Sequence, residues 1–166
     1  NEVADCLARL GTNMKIQRPG HTLPVAEAVI NDEIKSLGKK AHQKYWDRHP
    51  ECRQTKMMLP KTNDKLWKQL VKQPRKMMNI TTQLYTGHSI LKRHLNLMAI
   101  EDANECEQCC EGPEESVEHF LCHCPAFARN RRNTLGNISL NTNELPNLKL
   151  SSIIKFVKDT KRFEQE

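Results

Sequence analysis

Cys106-Glu-Gln-Cys109-Cys110-Glu-Gly-Pro-Glu-Glu-Ser-Val-Glu-His119-Phe-Leu-Cys122-His123-Cys124-Pro125 is the stretch that organises this sequence. Cys106 and Cys109 form a C-x2-C knuckle, a spacing that turns two sulfurs toward one ion, and Gly112-Pro113 turns the chain behind it. His119 and Cys124 follow at an H-x4-C spacing, read as bringing an imidazole and a thiolate to one side. Together, C-x2-C-x9-H-x4-C offers three sulfurs and one nitrogen, which suits a closed tetrahedral Zn²⁺ site. Closed coordination leaves no position for a water, so the expected zinc is structural rather than catalytic. Cys110, Cys122 and His123 share the stretch, and a quartet with Cys122 in place of Cys124 stays open.

The remaining cysteines support that reading. Of seven, only Cys6 and Cys52 lie outside the cluster. An odd count, tight clustering and no apparent secretory signal argue against a disulfide framework and for reduced thiolates used as ligands. No run of about 18 apolar residues exists, so no membrane-spanning helix is expected. The expected setting is intracellular, nucleus or cytoplasm, and not secreted. A chain that begins at Asn1 rather than methionine is expected to be a fragment or a processed piece.

The charge is uneven. Over 166 residues the net charge is only +6. Residues 35–96, however, hold fifteen basic and three acidic residues, while 101–118 hold eight acidic and no basic ones. The basic stretch has the electrostatic footprint expected for a phosphate backbone. Its candidate contacts are Lys39, Lys40, Lys44, Arg48, Arg53, Lys56, Lys68, Lys72, Arg75, Lys76, Lys92 and Arg93. A solvated helix face would carry the same lysines. The eight acids near the cysteines are expected to keep that loop in water. Arg129, Arg131 and Arg132 fit either a phosphate clamp or a solvated face. Trp46 and Trp67 fit core packing better than base stacking.

Periodicity reads as mainly α, with short helices, a small zinc-stabilised knuckle and no extended sheet. Val3, Ala4, Leu7 and Leu10 predict a helix closed by Gly11. From Val25 a helical period runs to Tyr45, and Leu59-Pro60 breaks the chain. Asn63 or Asp64 caps a helix with Leu66, Trp67 and Leu70 on one face. Pro74 opens one that stops at Gly87, and Ser89 starts another. Pro125 opens a helix to Leu135 closed by Gly136, and a last one holds Ile153, Ile154, Val157 and, at its end, Phe163. The expected organisation is therefore 1–12 terminal helix, 13–24 linker, 25–100 basic helical region, 101–125 zinc knuckle and 126–166 helical tail.

Three stretches resemble, in order, parts of one family. Asn1-Glu2-Val3-Ala4-Asp5-Cys6-Leu7-Ala8-Arg9-Leu10-Gly11 resembles the closing motif of ribonuclease H domains. Thr86-Gly87-His88-Ser89-Ile90-Leu91-Lys92-Arg93-His94-Leu95 looks like the Thr-Gly-His stretch downstream of that domain in polyproteins of insect-type non-LTR retrotransposons. The cysteine cluster, closing on Cys124-Pro125, is similar to the one that follows there, and Cys52-Arg53-Gln54-Thr55-Lys56 also fits. The resemblance implies a parent polyprotein with reverse transcriptase and ribonuclease H, of which this is the C-terminal end. Asp5 matches the last carboxylate of a cluster that holds two Mg²⁺ ions in the parent. The other carboxylates lie upstream in the family, so this chain is expected not to be an enzyme by itself. The implied role is a zinc-stabilised tail that binds RNA or DNA, partnered by the rest of the polyprotein and not by a membrane. The alternatives are a structural or protein-interaction module packed on the catalytic domains, or a decayed copy.

Overall fold

A computed structural model describes residues 2–13, 25–109 and 112–164. The fold is mainly helical, and among the described residues the only β-pairing is one antiparallel bridge, Glu105 to Glu114. Contacts divide the chain into two units, Asn1–Lys40 and Ala41–Glu166.

The first unit contains α1 (Glu2–Asn13) and most of α2 (Glu27–Arg48). Helix α1 continues past Gly11, with the Thr12 hydroxyl donating to the Arg9 carbonyl at 2.8 Å. Glycine lowers helix propensity without forbidding helix. No residue of either helix is buried. The apolar stripes that predicted them, Val3, Leu7 and Leu10 on α1 and Val29, Ile30, Ile34 and Leu37 on α2, stand exposed. Of the expected linker only Asn13 is described, at the end of α1; 14–24 lie outside the described residues.

The second unit is built on the end of α2, followed by α3 (Arg53–Met58), α4 (Asp64–Leu70), α5 (Arg75–Thr86), α6 (Lys92–Leu97), α7 (Ala128–Leu135) and α8 (Leu150–Thr160). Helix α3 had no periodic signal, being six residues long, yet it carries Met58 into the core. Asn63 caps α4, its side-chain oxygen accepting from the Lys65 and Leu66 amides at 3.1 and 3.0 Å, an arrangement worth about 1 kcal/mol. Helix α5 buries Ile80, Thr81, Leu84 and Tyr85 along one face and stops at Gly87. There φ is +81°, and an added Cβ would lie 3.0 Å from Gln54 Cγ. The Thr-Gly-His stretch thus works locally as a helix stop against α3. Helix α6 starts at Lys92, later than the expected Ser89, which is buried in the turn before it.

Helix α8 packs on α7, α4 and α5, and α3 packs on α5 and on the 3₁₀ turn Thr142–Asn147. All four phenylalanines of the chain meet at the centre: Phe120 lies 5.3, 5.1 and 5.6 Å from Phe127, Phe156 and Phe163 between ring centroids. Phe163 lies beyond α8 and still reaches this cluster, because Lys161 turns the chain with φ +53°. Cys106, Cys109, Cys122 and Cys124 belong to the same buried cluster, so the cysteine site rests on the core.

Candidate metal centre

Two pieces of chain build the site. The first is a short ribbon in which the Cys106 amide donates to the Pro113 carbonyl and the Glu115 amide to the Asn104 carbonyl, each at 2.8 Å. Gly112, at φ +67°, makes its return. The second is a π turn, His119–His123, closed by the Cys124 amide donating to the His119 carbonyl at 2.7 Å. On an α-helix two residues five apart point about 140° away from each other. A turn closed from i to i+5 is one residue wider and brings them back to one side. The H-x4-C spacing therefore works only because the helix is locally widened.

The result is a buried quartet: Cys106, Cys109, His119 and Cys124 present ligand atoms all within 4.8 Å of one another. The Cys106 and Cys124 sulfurs are 3.9 Å apart, and the Cys109 sulfur is 3.4 Å from His119 Nε2. Tetrahedral zinc with ordinary bond lengths sets sulfurs about 3.8 Å apart and sulfur and nitrogen about 3.5 Å apart. Cys122 is buried too but stands outside the quartet. Cys110 lies outside the described residues, and His123 faces Glu118 at 3.8 Å on the surface.

Burial and backbone amides act on the thiols in opposite directions. Burial pushes the Cys124 thiol up to about 12, and the Ala126 amide draws it back down. Burial also raises Cys106, while the amides of Gln108 and Cys109 turn to its sulfur and lower it. Amides aimed at sulfur favour the charged form, and a cation among the four would complete the deprotonation. Soft sulfur donors, complete burial and four ligands fit a structural metal ion.

Three residues that hold this site had no signal in the sequence. Arg131, 1% exposed, donates to the carbonyls of Leu121 at 2.8 Å, Cys124 at 2.9 Å and Phe120 at 3.5 Å, and also to that of Ile138. It belongs neither to a phosphate clamp nor to a solvated face; it braces the π turn. Glu115, 2% exposed, takes two hydrogen bonds from Arg162 at 2.8 Å and one from the Lys92 amide at 2.9 Å. Of the eight acids expected in water, this one is interior. Only a contact between positions 47 apart makes sense of it.

The other candidates are distributed as follows. Asp5 lies on exposed α1 and pairs with Arg9 at 2.9 Å. Among the described residues no group of three or more possible metal ligands includes it, so the residues present do not fit the Mg²⁺ pair. Lys92 pairs with Glu107 and with Glu101 at 3.8 Å, and Arg93 pairs with Glu114 at 2.9 Å, which ties both to the acidic loop. Lys56 donates to the His49 carbonyl and lies 5.6 Å over the Trp46 ring. Lys39, Lys40, Lys44, Arg48, Arg53, Lys68, Lys72, Arg75 and Lys76 are exposed. Trp46 is half-buried, its indole donating to the Leu59 carbonyl at 3.0 Å, whereas Trp67 is 63% exposed, against the expectation of core packing.

The class these features define is a mainly helical chain with a buried Cys₃His quartet. No protein-family model, curated protein or solved structure matches it.

Proposed function

We propose that this chain is a zinc-stapled nucleic-acid-binding segment, the tail of a retrotransposon-type polyprotein. The observation that carries the zinc is the convergence of Cys106, Cys109, His119 and Cys124 at spacings that suit tetrahedral zinc. The ion would be held by this chain's three thiolates and the His119 imidazole, and it would lock ribbon to π turn without taking part in a reaction. Nucleic-acid binding is supported by how charge is distributed around that staple. Glu107, Glu114 and Glu115 are engaged by Lys92, Arg93 and Arg162, while the cations of α4 and α5 face outward. A phosphate backbone approaching α4 and α5 meets Lys68, Lys72, Arg75 and Lys76. Asp5 alone supports no hydrolysis, and the chain is read as a binding module rather than an enzyme.

The test is fluorescence anisotropy of the 166-residue chain with labelled RNA and DNA across a salt series. Affinity should fall at least tenfold between 50 and 200 mM salt (about the loss expected for a few phosphate contacts) and differ little between sequences. A salt-independent affinity overturns the reading.

One observation favours a second reading for residues 2–40. The apolar stripes of α1 and α2 are exposed, which suits packing against another part of a longer polyprotein. Replacing Leu7 and Leu10 by serine should then abolish association with the upstream domains and leave anisotropy unchanged.

A further inference from the structure

A groove beside the capped start of α4 opens between two indoles. Its wall is Trp46, on the part of α2 within the second unit; its floor includes Leu59; its rim carries Trp67, Lys61, Lys68 and Asp64. It encloses about 460 Å³, within the range of clefts that take small planar groups.

The two indoles are held differently. Trp46 is locked by its hydrogen bond to the Leu59 carbonyl, with the Lys56 ammonium over its ring. The end of α2 is itself clasped to the stretch before α4, Gln43 accepting from the Thr62 amide at 2.9 Å. Trp67 is on a helix whose core contacts are already made by Leu66 and Leu70, and 63% of it is open to solvent. A large apolar ring left in water on a rigid, capped helix costs solvation that nothing inside the fold recovers. Lys61 and Lys68 flank it, in the chain segment of highest positive charge.

We propose that this groove is a base-stacking subsite for single-stranded nucleic acid, with Trp67 the platform and Lys61 and Lys68 the contacts to the adjoining phosphates. The assignment rests on the nucleic-acid reading above and gives it a location. Base faces stack on aromatic rings regardless of sequence, and flanking lysines hold the backbone. A duplex hides its base faces and is a poorer fit.

The test uses the Trp46→Phe variant, in which Trp67 is the sole tryptophan, titrated with 12-nucleotide oligo(dT), oligo(U) and heparin. Both oligonucleotides should quench the Trp67 emission on binding, whereas heparin, having charge without bases, should bind without comparable quenching. In the otherwise unchanged chain, Trp67→Ala should weaken oligonucleotide binding roughly five- to a hundredfold, Trp67→Phe should restore most of it, and heparin affinity should not move. Lys61→Gln with Lys68→Gln should lower the salt slope by about 1.4, two single-strand phosphate contacts. Circular dichroism of each variant checks that the fold is kept. Oligonucleotide binding that persists unquenched and survives Trp67→Ala overturns the groove and leaves the nucleic-acid reading standing. Absence of oligonucleotide binding at low salt overturns both. A monomer–dimer equilibrium abolished by Trp67→Ala, with oligonucleotide affinity unchanged, assigns the ring to a second copy and overturns the proposal.

Discussion

The guanidinium of Arg131 donates to the Cys124 carbonyl at 2.9 Å from a position 1% exposed to solvent. Burial lowers its pKa, and the nearby Cys124 and Cys122 sulfurs raise it. Zinc, were it held by these three thiolates and a neutral imidazole, would carry a net charge of −1, and Arg131 would place an opposing charge behind the turn that carries Cys124. Removing it strands several buried carbonyls and would leave the charge of a zinc-loaded centre uncompensated. Arg131→Met should lower metal affinity by about 10- to 100-fold, read by competition with a chromophoric chelator. It should also destabilise the fold by about 3 kcal/mol or more, because partners of a buried ion are left unpaired. Arg131→Lys keeps the charge but not the fork, so it should recover only part of both.

The geometry brings the expected ligand Cys124 into the quartet and leaves outside it Cys122, the alternative that spacing kept open. Native mass spectrometry should find one zinc per chain in the parent and in Cys122→Ala, and none in Cys124→Ala. His119→Cys keeps a fourth soft ligand and should hold zinc, which distinguishes lost coordination from lost folding. Chelation should remove the circular dichroism of the ribbon and the π turn and expose the phenylalanine cluster to a dye that binds apolar surface. A parent protein without metal and with unchanged spectra would refute the centre.

Glu115 and Arg162 form the clasp that ties the end of the chain to the ribbon, through two bonds of 2.8 Å. Their side chains are 2% and 14% exposed, so solvent screens the pair weakly. Glu115→Gln should cost about 2–4 kcal/mol, measured by urea unfolding in excess zinc. Arg162→Ala combined with Glu115→Ala should cost clearly less than the sum of the single changes, the signature of direct coupling. Additive effects would show that the clasp does not act as a pair.

Tyr85 gives the fold a high-pH limit. Burial pushes its phenol up to about 12 from an ordinary 10. A raised folded pKa means that the native state keeps a proton the unfolded chain releases. The resulting stabilisation is complete below pH 10 and disappears as pH rises to about 12; a shift of two units corresponds to about 2–3 kcal/mol. Urea midpoints should fall across this window in the parent, and Tyr85→Phe should flatten that component of the fall. An equal slope in both proteins would assign the alkaline limit to other groups.

Local signals read well from the sequence. The cap at Asn63, the stops at Gly87 and Gly136, and the apolar period of α8 depend on neighbours within a turn or two. The ligand quartet was legible for a similar reason: its donor types and spacing are local, and chemistry permits few uses for them. Tertiary structure decided the rest. Spacing did not reveal that His119 and Cys124 converge through a widened turn, since on an ordinary helix they would diverge. Arg131 looked like its neighbours Arg129 and Arg132, and Glu115 like the other acids of its loop, until contacts 7 to 11 and 47 residues away buried them. Trp67 reversed in the other direction: Leu66 and Leu70 had already filled the inner face of α4, which left the larger ring outside. Sequence sets which local structures and donor sets are available, whereas burial is a competition for limited interior volume that only the packed fold resolves.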